Sequence, residues 1–378
     1  MPVNFPSSKH MHSMRALTIA AAVSVLALSA QAQTQAADPS AGKPNPVTNA
    51  ISKALGKLRA DADMMTVLEA HASLNPKAIE KLGVPAARAQ PTIADAVNVV
   101  LKQQGKSTKP EDLVPGVTSM DTTIQGAVGK LPARIYTPDG PGPFPVVVYF
   151  HGGGWVIADK QVYDGGARGI AKEANAVVIS VDYRRAPEAK FPAAWDDALA
   201  SYKWALENAG QHKGDPKRIA LAGESAGGNL AVATAIAARD AGLQAPVHVL
   251  SVYPVAQNSL NTESYIENAI AKPLNRAMVK WFVDKVTRTP ADLKDPRIQL
   301  IDAKLQGLAP VTIINARIDP LRSDGAKLED ALKNASVPVE RREYEGVTHE
   351  FFGAAAVVAK AKEAQAYAGQ RLKGAFGS

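Results

Sequence analysis

The stretch Arg218–Gly228 reads as a β-strand that ends in Gly223-Glu224-Ser225-Ala226-Gly227 and runs straight into an alanine-rich helical segment reaching Ala238. A serine held on such a strand-to-helix turn stands clear of its sheet. Glycines flank it because a Cβ on either side would meet neighbouring backbone. The plain alternative is a glycine-rich turn, but a strand before and a helix after favour a nucleophilic Ser225. A second stretch, His151-Gly152-Gly153-Gly154-Trp155, follows the most apolar strand of the chain. Three consecutive glycines let backbone N–H groups approach a small anionic centre. Acyl transfer needs such donors, because its tetrahedral intermediate places charge on the former carbonyl oxygen. A phosphate cradle is disfavoured here: no Lys-Ser/Thr pair follows, and the spacing is not Gly-x-Gly-x-x-Gly.

A serine hydroxyl needs a base, and the base an acid to orient it. Among the seven histidines, His349 falls between the last expected strand and the final helix, and chain order favours it. Asp319, in Ile318-Asp319-Pro320-Leu321, closes a strand and so shares the elbow's edge of the sheet; Asp324 competes with it, and a helix cap is its plain alternative. Trp155 and Glu224, beside the glycine loop and the elbow, are candidate substrate contacts. So are Met278, Trp281 and Phe282, spaced for one helix face, although cap packing is the favoured role for each of these three taken singly.

Composition narrows the chemistry further. No cysteine occurs among the 378 residues, so disulfides, thiolate metal sites and a cysteine nucleophile are excluded. The 43 Lys and Arg against 36 Asp and Glu give a formal charge of +7, but no basic run is interleaved with aromatics. Nucleic-acid binding is therefore not expected. Part of that charge sits in a secretory leader. Lys9 and Arg15 precede the uncharged apolar run Ala16–Leu28, and Ala30-Gln31-Ala32 supplies small residues for cleavage. Residues 1–32 are read as a signal peptide, with Met1 or Met14 as its start, and the run is too short for a stable membrane anchor. Cleavage would leave +5 and deliver the chain to the periplasm or the exterior. Residues 33–46, with three prolines, read as a flexible linker.

The elements that must position the site follow from periodicity. Residues 47–119 are expected to be largely helical, with Ile51, Leu55 and Leu58 on one face and Met64, Val67 and Leu68 on another. From about residue 120 short apolar runs alternate with amphipathic stretches: Ala133–Tyr136, Val146–Phe150, Ala176–Asp182, Arg218–Ala222, Val247–Tyr253, Val311–Asn315 and Val339–Tyr344. Continuous apolar strands such as Val146–Phe150 are buried on both faces, which predicts a mostly parallel sheet flanked by helices, an α/β fold spanning 120–378. Residues 257–306 break the rhythm with helical segments, including Met278–Val286, and read as an insertion near the mouth of the sheet.

Taken together, these residues resemble the bacterial hormone-sensitive-lipase-like esterases (family IV) of the α/β-hydrolase fold. His151–Trp155 matches that family's HGGGW loop, Tyr183–Glu188 with Phe191-Pro192-Ala193 its YRxAPE…FPA stretch, and Gly223–Gly228 its GESAGG elbow. Asp319–Arg322 matches its DPLR segment and His349 its terminal HxF. The resemblance implies Ser225 as nucleophile, His349 as base and Asp319 as acid. It also implies an oxyanion hole from the N–H groups of Gly153, Gly154 and Ala226, with Gly152 shaping the loop and His151 orienting it. The N-terminal helices and the 257–306 insertion become a helical cap. Glu350 stands where many members carry Gly, which alters the rim of the site. No metal or organic cofactor is implied. The expected partner is a small carboxylic ester with a short to medium acyl chain, and a homodimer is left open. An amidase or arylformamidase on the same triad is the alternative. A non-catalytic, receptor-like member is disfavoured because such relatives lack the base, whereas His349 is present. Activity is expected to rise as His349 deprotonates, at about pH 6–7.

Overall fold

The computed structural model describes residues 60–377, so the leader, the linker and the face of Ile51, Leu55 and Leu58 lie outside the described residues. Four helices open the described chain: α1 (Ala62–Ser73), α2 (Val84–Arg88), α3 (Ile93–Gln103) and α4 (Pro110–Leu113). A reciprocal cap starts α3, where Asp95 N–H donates to Thr92 Oγ1 and the Asp95 carboxylate accepts from Thr92 N–H. Helices α1 and α3 pack together through Met64, Val67, Ala96 and Val100, in one core with Val347 and Phe351. Ile79, Val84 and Ala87 join the opposite core.

The sheet has eight strands: β1 (Val117–Gln125), β2 (Lys130–Pro138), β3 (Phe144–Phe150), β4 (Val177–Val181), β5 (Gly214–Glu224), β6 (Val249–Val252), β7 (Val311–Ile318) and β8 (Val339–Thr348). Their order is β1-β2-β4-β3-β5-β6-β7-β8, antiparallel at the β1–β2 and β2–β4 pairings and parallel from β4 to β8. The mostly parallel sheet is as expected, with one correction. β1 was not anticipated, and the expected domain start at residue 120 cuts through it. Only Val117 and Ile124 of β1 are buried, so this edge strand lacks the apolar run that marks the others.

Every residue of β3 is buried, alternating between the two cores: Val146, Val148 and Phe150 face one, Val147 and Tyr149 the other. Helices α5 (Asp164–Ala174), α6 (Ala193–Asn208) and α7 (Ala226–Asp240) connect the central strands. Between β6 and β7 lie α8 (Glu263–Glu267) and α9 (Arg276–Val286), the latter two residues longer at its start than the expected Met278–Val286. The turn Ile79–Lys81 packs against α9. Helix α10 (Arg322–Asn334) joins β7 to β8, and α11 (Ala359–Phe376) closes the chain. Because β3, β5, β7 and β8 are parallel, the loops after their carboxyl ends gather along one sheet edge, where open α/β sheets place their sites.

Candidate active site

The elbow is built by close approach of backbone. A Cβ on Gly227 would lie 1.9 Å from Phe150 O, and one on Gly223 would lie 2.2 Å from Gly227 O. Glycine at both positions lets α7 start directly against the ends of β3 and β5. Ser225 itself takes φ +57° and ψ −118°, a conformation that costs an L-residue about 1–3 kcal/mol. Its N–H donates to Val252 O at 2.8 Å, and its carbonyl accepts from Asn229 N–H at 3.1 Å, which hold it there.

Three side chains meet at this edge. His349 Nε2 lies 3.0 Å from Ser225 Oγ, and His349 Nδ1 lies 2.7 Å from Asp319 Oδ2. Nδ1 therefore donates to the carboxylate, which leaves Nε2 to accept the serine proton. Asp319 Oδ1 accepts from Leu321 N–H at 2.8 Å, and the Asn268 amide donates to Asp319 O at 3.1 Å, so the segment after α8 fixes the acid's backbone. The competitor Asp324 is engaged elsewhere, accepting from Ala256 N–H and Gln257 Nε2. Burial opposes charge on His349, yet the charge and hydrogen bond of Asp319, with Glu350 and Glu224 behind it, leave the imidazole pKa raised above 6.5.

A pocket of about 50 Å³ opens over Ser225 and His349. Gly153 and Gly154 form one side; Met278, Val279 and Phe282 of α9 form another, with Trp155, Ile157 and Leu321 completing the apolar wall. A Cβ on Gly154 would fall 2.2 Å from the Phe282 ring, so glycine is required where the loop meets the cap helix. Ala226, the first residue of α7, carries one of the helix's free N–H donors. Gly152 is absent from the pocket wall and packs instead against the Tyr163 hydroxyl and Glu224 O. His151 is buried; its Nδ1 donates to Gly152 O at 2.7 Å, its ring stacks on Tyr183 at 4.3 Å, and the Tyr183 hydroxyl donates to its carbonyl at 2.9 Å. Burial lowers the His151 pKa, so the ring is a neutral brace for the loop.

Two expected substrate contacts stand elsewhere. Trp281 turns from the pocket, edge-on to Phe282 with Lys285 over its face. Glu224 lines a larger neighbouring cavity and not this pocket, and its two carboxylate oxygens accept from the Tyr149 and Tyr253 hydroxyls. Burial pushes its pKa up to about 7, with those two hydrogen bonds pulling the other way. The sequence reading missed Tyr253, whose ring lies 4.4 Å from that of His349, and Tyr163, whose hydroxyl donates to Glu350 Oε1 at 3.2 Å. Neither has a local signal, since the partners are distant in sequence.

The chain is similar to known hydrolases over most of its described length. A family profile described as the α/β hydrolase fold matches residues 147–353. A carboxylesterase of Mycobacterium tuberculosis, NlhH, is 38% identical over 279 residues, covering 72% of this chain and 88% of its own. An ethyl acetate hydrolase of Pseudomonas putida is 34% identical, covering 62% of this chain and 75% of its own. The crystal structure of a Pyrobaculum calidifontis esterase superposes with a TM-score of 0.72 at 33% identity, covering 80% of this chain and 97% of that one. The chain thus belongs to the α/β-hydrolase fold family and, within it, to the hormone-sensitive-lipase-like carboxylic ester hydrolases.

Proposed function

We propose that the protein is an exported esterase that cleaves short- to medium-chain carboxylic esters through an acyl-enzyme on Ser225. The observation that carries this reading is the relay Ser225 Oγ, His349 Nε2, His349 Nδ1, Asp319 Oδ2, with contacts of 3.0 and 2.7 Å. His349 takes the serine proton as Oγ attacks the ester carbonyl. The oxyanion is met by the N–H groups of Gly153, Gly154 and Ala226, each worth roughly 3 kcal/mol in such sites. Protonated His349 then gives its proton to the departing alcohol. Water, deprotonated by the same imidazole, attacks the acyl carbonyl and frees the acid and Ser225. Asp319 holds the tautomer throughout and stabilises the transient imidazolium.

The small apolar pocket, and the ethyl acetate hydrolase among the relatives, support the short end of the acyl range. Assay of p-nitrophenyl esters tests the reading. Ser225→Ala is expected to lower kcat by about 10⁴-fold or more, with the fold intact and fluorophosphonate labelling lost. Retained turnover in that variant refutes it. Export rests on the charge and apolarity of residues 1–32, and N-terminal sequencing of secreted material should begin at Gln33.

A further inference from the structure

A second cavity, of about 520 Å³, lies beside the Ser225 pocket between α3, α5 and the segment 108–115. No member of the Ser225–His349–Asp319 relay lines it. Its wall includes Ile93, Val97, Leu113 and Val162, enough apolar surface to accept an alkyl chain. Among the described residues, Glu350 is the one that lines both this cavity and the 50 Å³ pocket.

Two features hold the Glu350 side chain in that position. Its Oε1 accepts from the Tyr163 hydroxyl at 3.2 Å. That hydroxyl is itself fixed against the glycine loop, so close that a Cβ on Gly152 would lie 2.3 Å from it. The side chain therefore runs as a strut from the His349 corner to the loop opposite. The backbone of Glu350 sits at φ +66° and ψ +11°, the left-handed region where glycine is at ease and a glutamate is strained. Strain tolerated one residue after His349 points to use of the side chain itself.

We propose that Glu350 is a specificity-determining partition. Tethered to Tyr163, its side chain closes the Ser225 pocket off from the larger cavity and limits one arm of the ester to a short chain. This inference rests on the hydrolytic reading of Ser225. Removing the strut joins the two spaces and admits a longer arm.

The test measures kcat/KM for two ester series, p-nitrophenyl esters from acetate to decanoate and acetates from ethyl to decyl alcohol. Wild type is compared with Glu350→Gly, Glu350→Gln and Tyr163→Phe. In Glu350→Gly the ratio of longest to shortest substrate is expected to rise roughly tenfold or more in at least one series. Its melting temperature should be retained, because glycine takes this backbone conformation freely. Glu350→Gln keeps the bulk and the tyrosine contact, so its ratios should follow wild type, with Tyr163→Phe between the two. Unchanged ratios in Glu350→Gly in both series overturn the partition. So does a shift in Glu350→Gln equal to that in Glu350→Gly, because charge and not bulk would then set the limit. If wild type cleaves no ester of either series, the hydrolytic reading fails, and the partition with it.

Discussion

Glu224 and Ser225 are chain neighbours, both buried, and they face different surroundings. Ser225 looks into an apolar pocket where its hydroxyl meets a single imidazole. Glu224 looks into a tyrosine cluster, where each carboxylate oxygen is met by a phenol. On one side a polar group is left with a proton that can move; on the other both oxygens are occupied. Burial alone does not make a group reactive. What matters is whether its partners saturate it or leave it one acceptor.

Substitution should separate the two sides. Where Ser225→Ala removes activity and spares the fold, Glu224→Ala should do most of its damage to the fold. It strands the hydroxyls of Tyr149 and Tyr253, both fully buried, and leaves a void beside them. The expected destabilisation is about 3 kcal/mol or more. Denaturant unfolding measures it, and a loss within error of zero would mean that the cluster does not brace the elbow. Glu224→Gln keeps volume and polar atoms, and should cost less. It should also flatten a pH dependence. A carboxyl raised from 4.5 to about 7 in the fold stabilises most at low pH, and that contribution is lost as pH rises through about 7. In Glu224→Gln that slope should be gone.

The same contrast explains what the sequence could disclose. Ser225, His151–Gly154, Asp319 and His349 were legible because each sits on a short turn that imposes its own local pattern. The parallel strands were legible because burial on both faces leaves continuous apolar runs. Glu224 was misplaced because adjacent residues on an elbow point apart, and sequence proximity to Ser225 says nothing of direction. Met278 and Phe282, one helical turn apart, do share the pocket-facing side of α9, while Trp281 falls round its edge. Strand β1 escaped because its polar, exposed residues match its place at the sheet edge. Tyr163 and Tyr253 acquire meaning only through Glu350 and Glu224, which no spacing rule connects to them.

The smallest effect concerns proton affinity at His349. The activity's acid limb should lie above 6.5, because Asp319, Glu350 and Glu224 together outweigh burial, whereas an unperturbed imidazole would place it there or below. A kcat/KM profile with its limb below 6.5 would remove these carboxylates from the account. Stability runs the other way: a raised imidazole pKa stabilises the fold below its unfolded value, and this is lost as pH rises through the folded one. Activity and this contribution to stability should therefore run in opposite directions, one rising as the other falls. Of the three carboxyl groups Asp319, Glu350 and Glu224, the last acts least on His349, and its own raised pKa leaves it partly neutral as pH falls below about 7. Glu224→Gln should accordingly move the limb to lower pH by less than Glu350→Gln does. The opposite order would show that the tyrosine-bound carboxyl, saturated as it is, still governs the base.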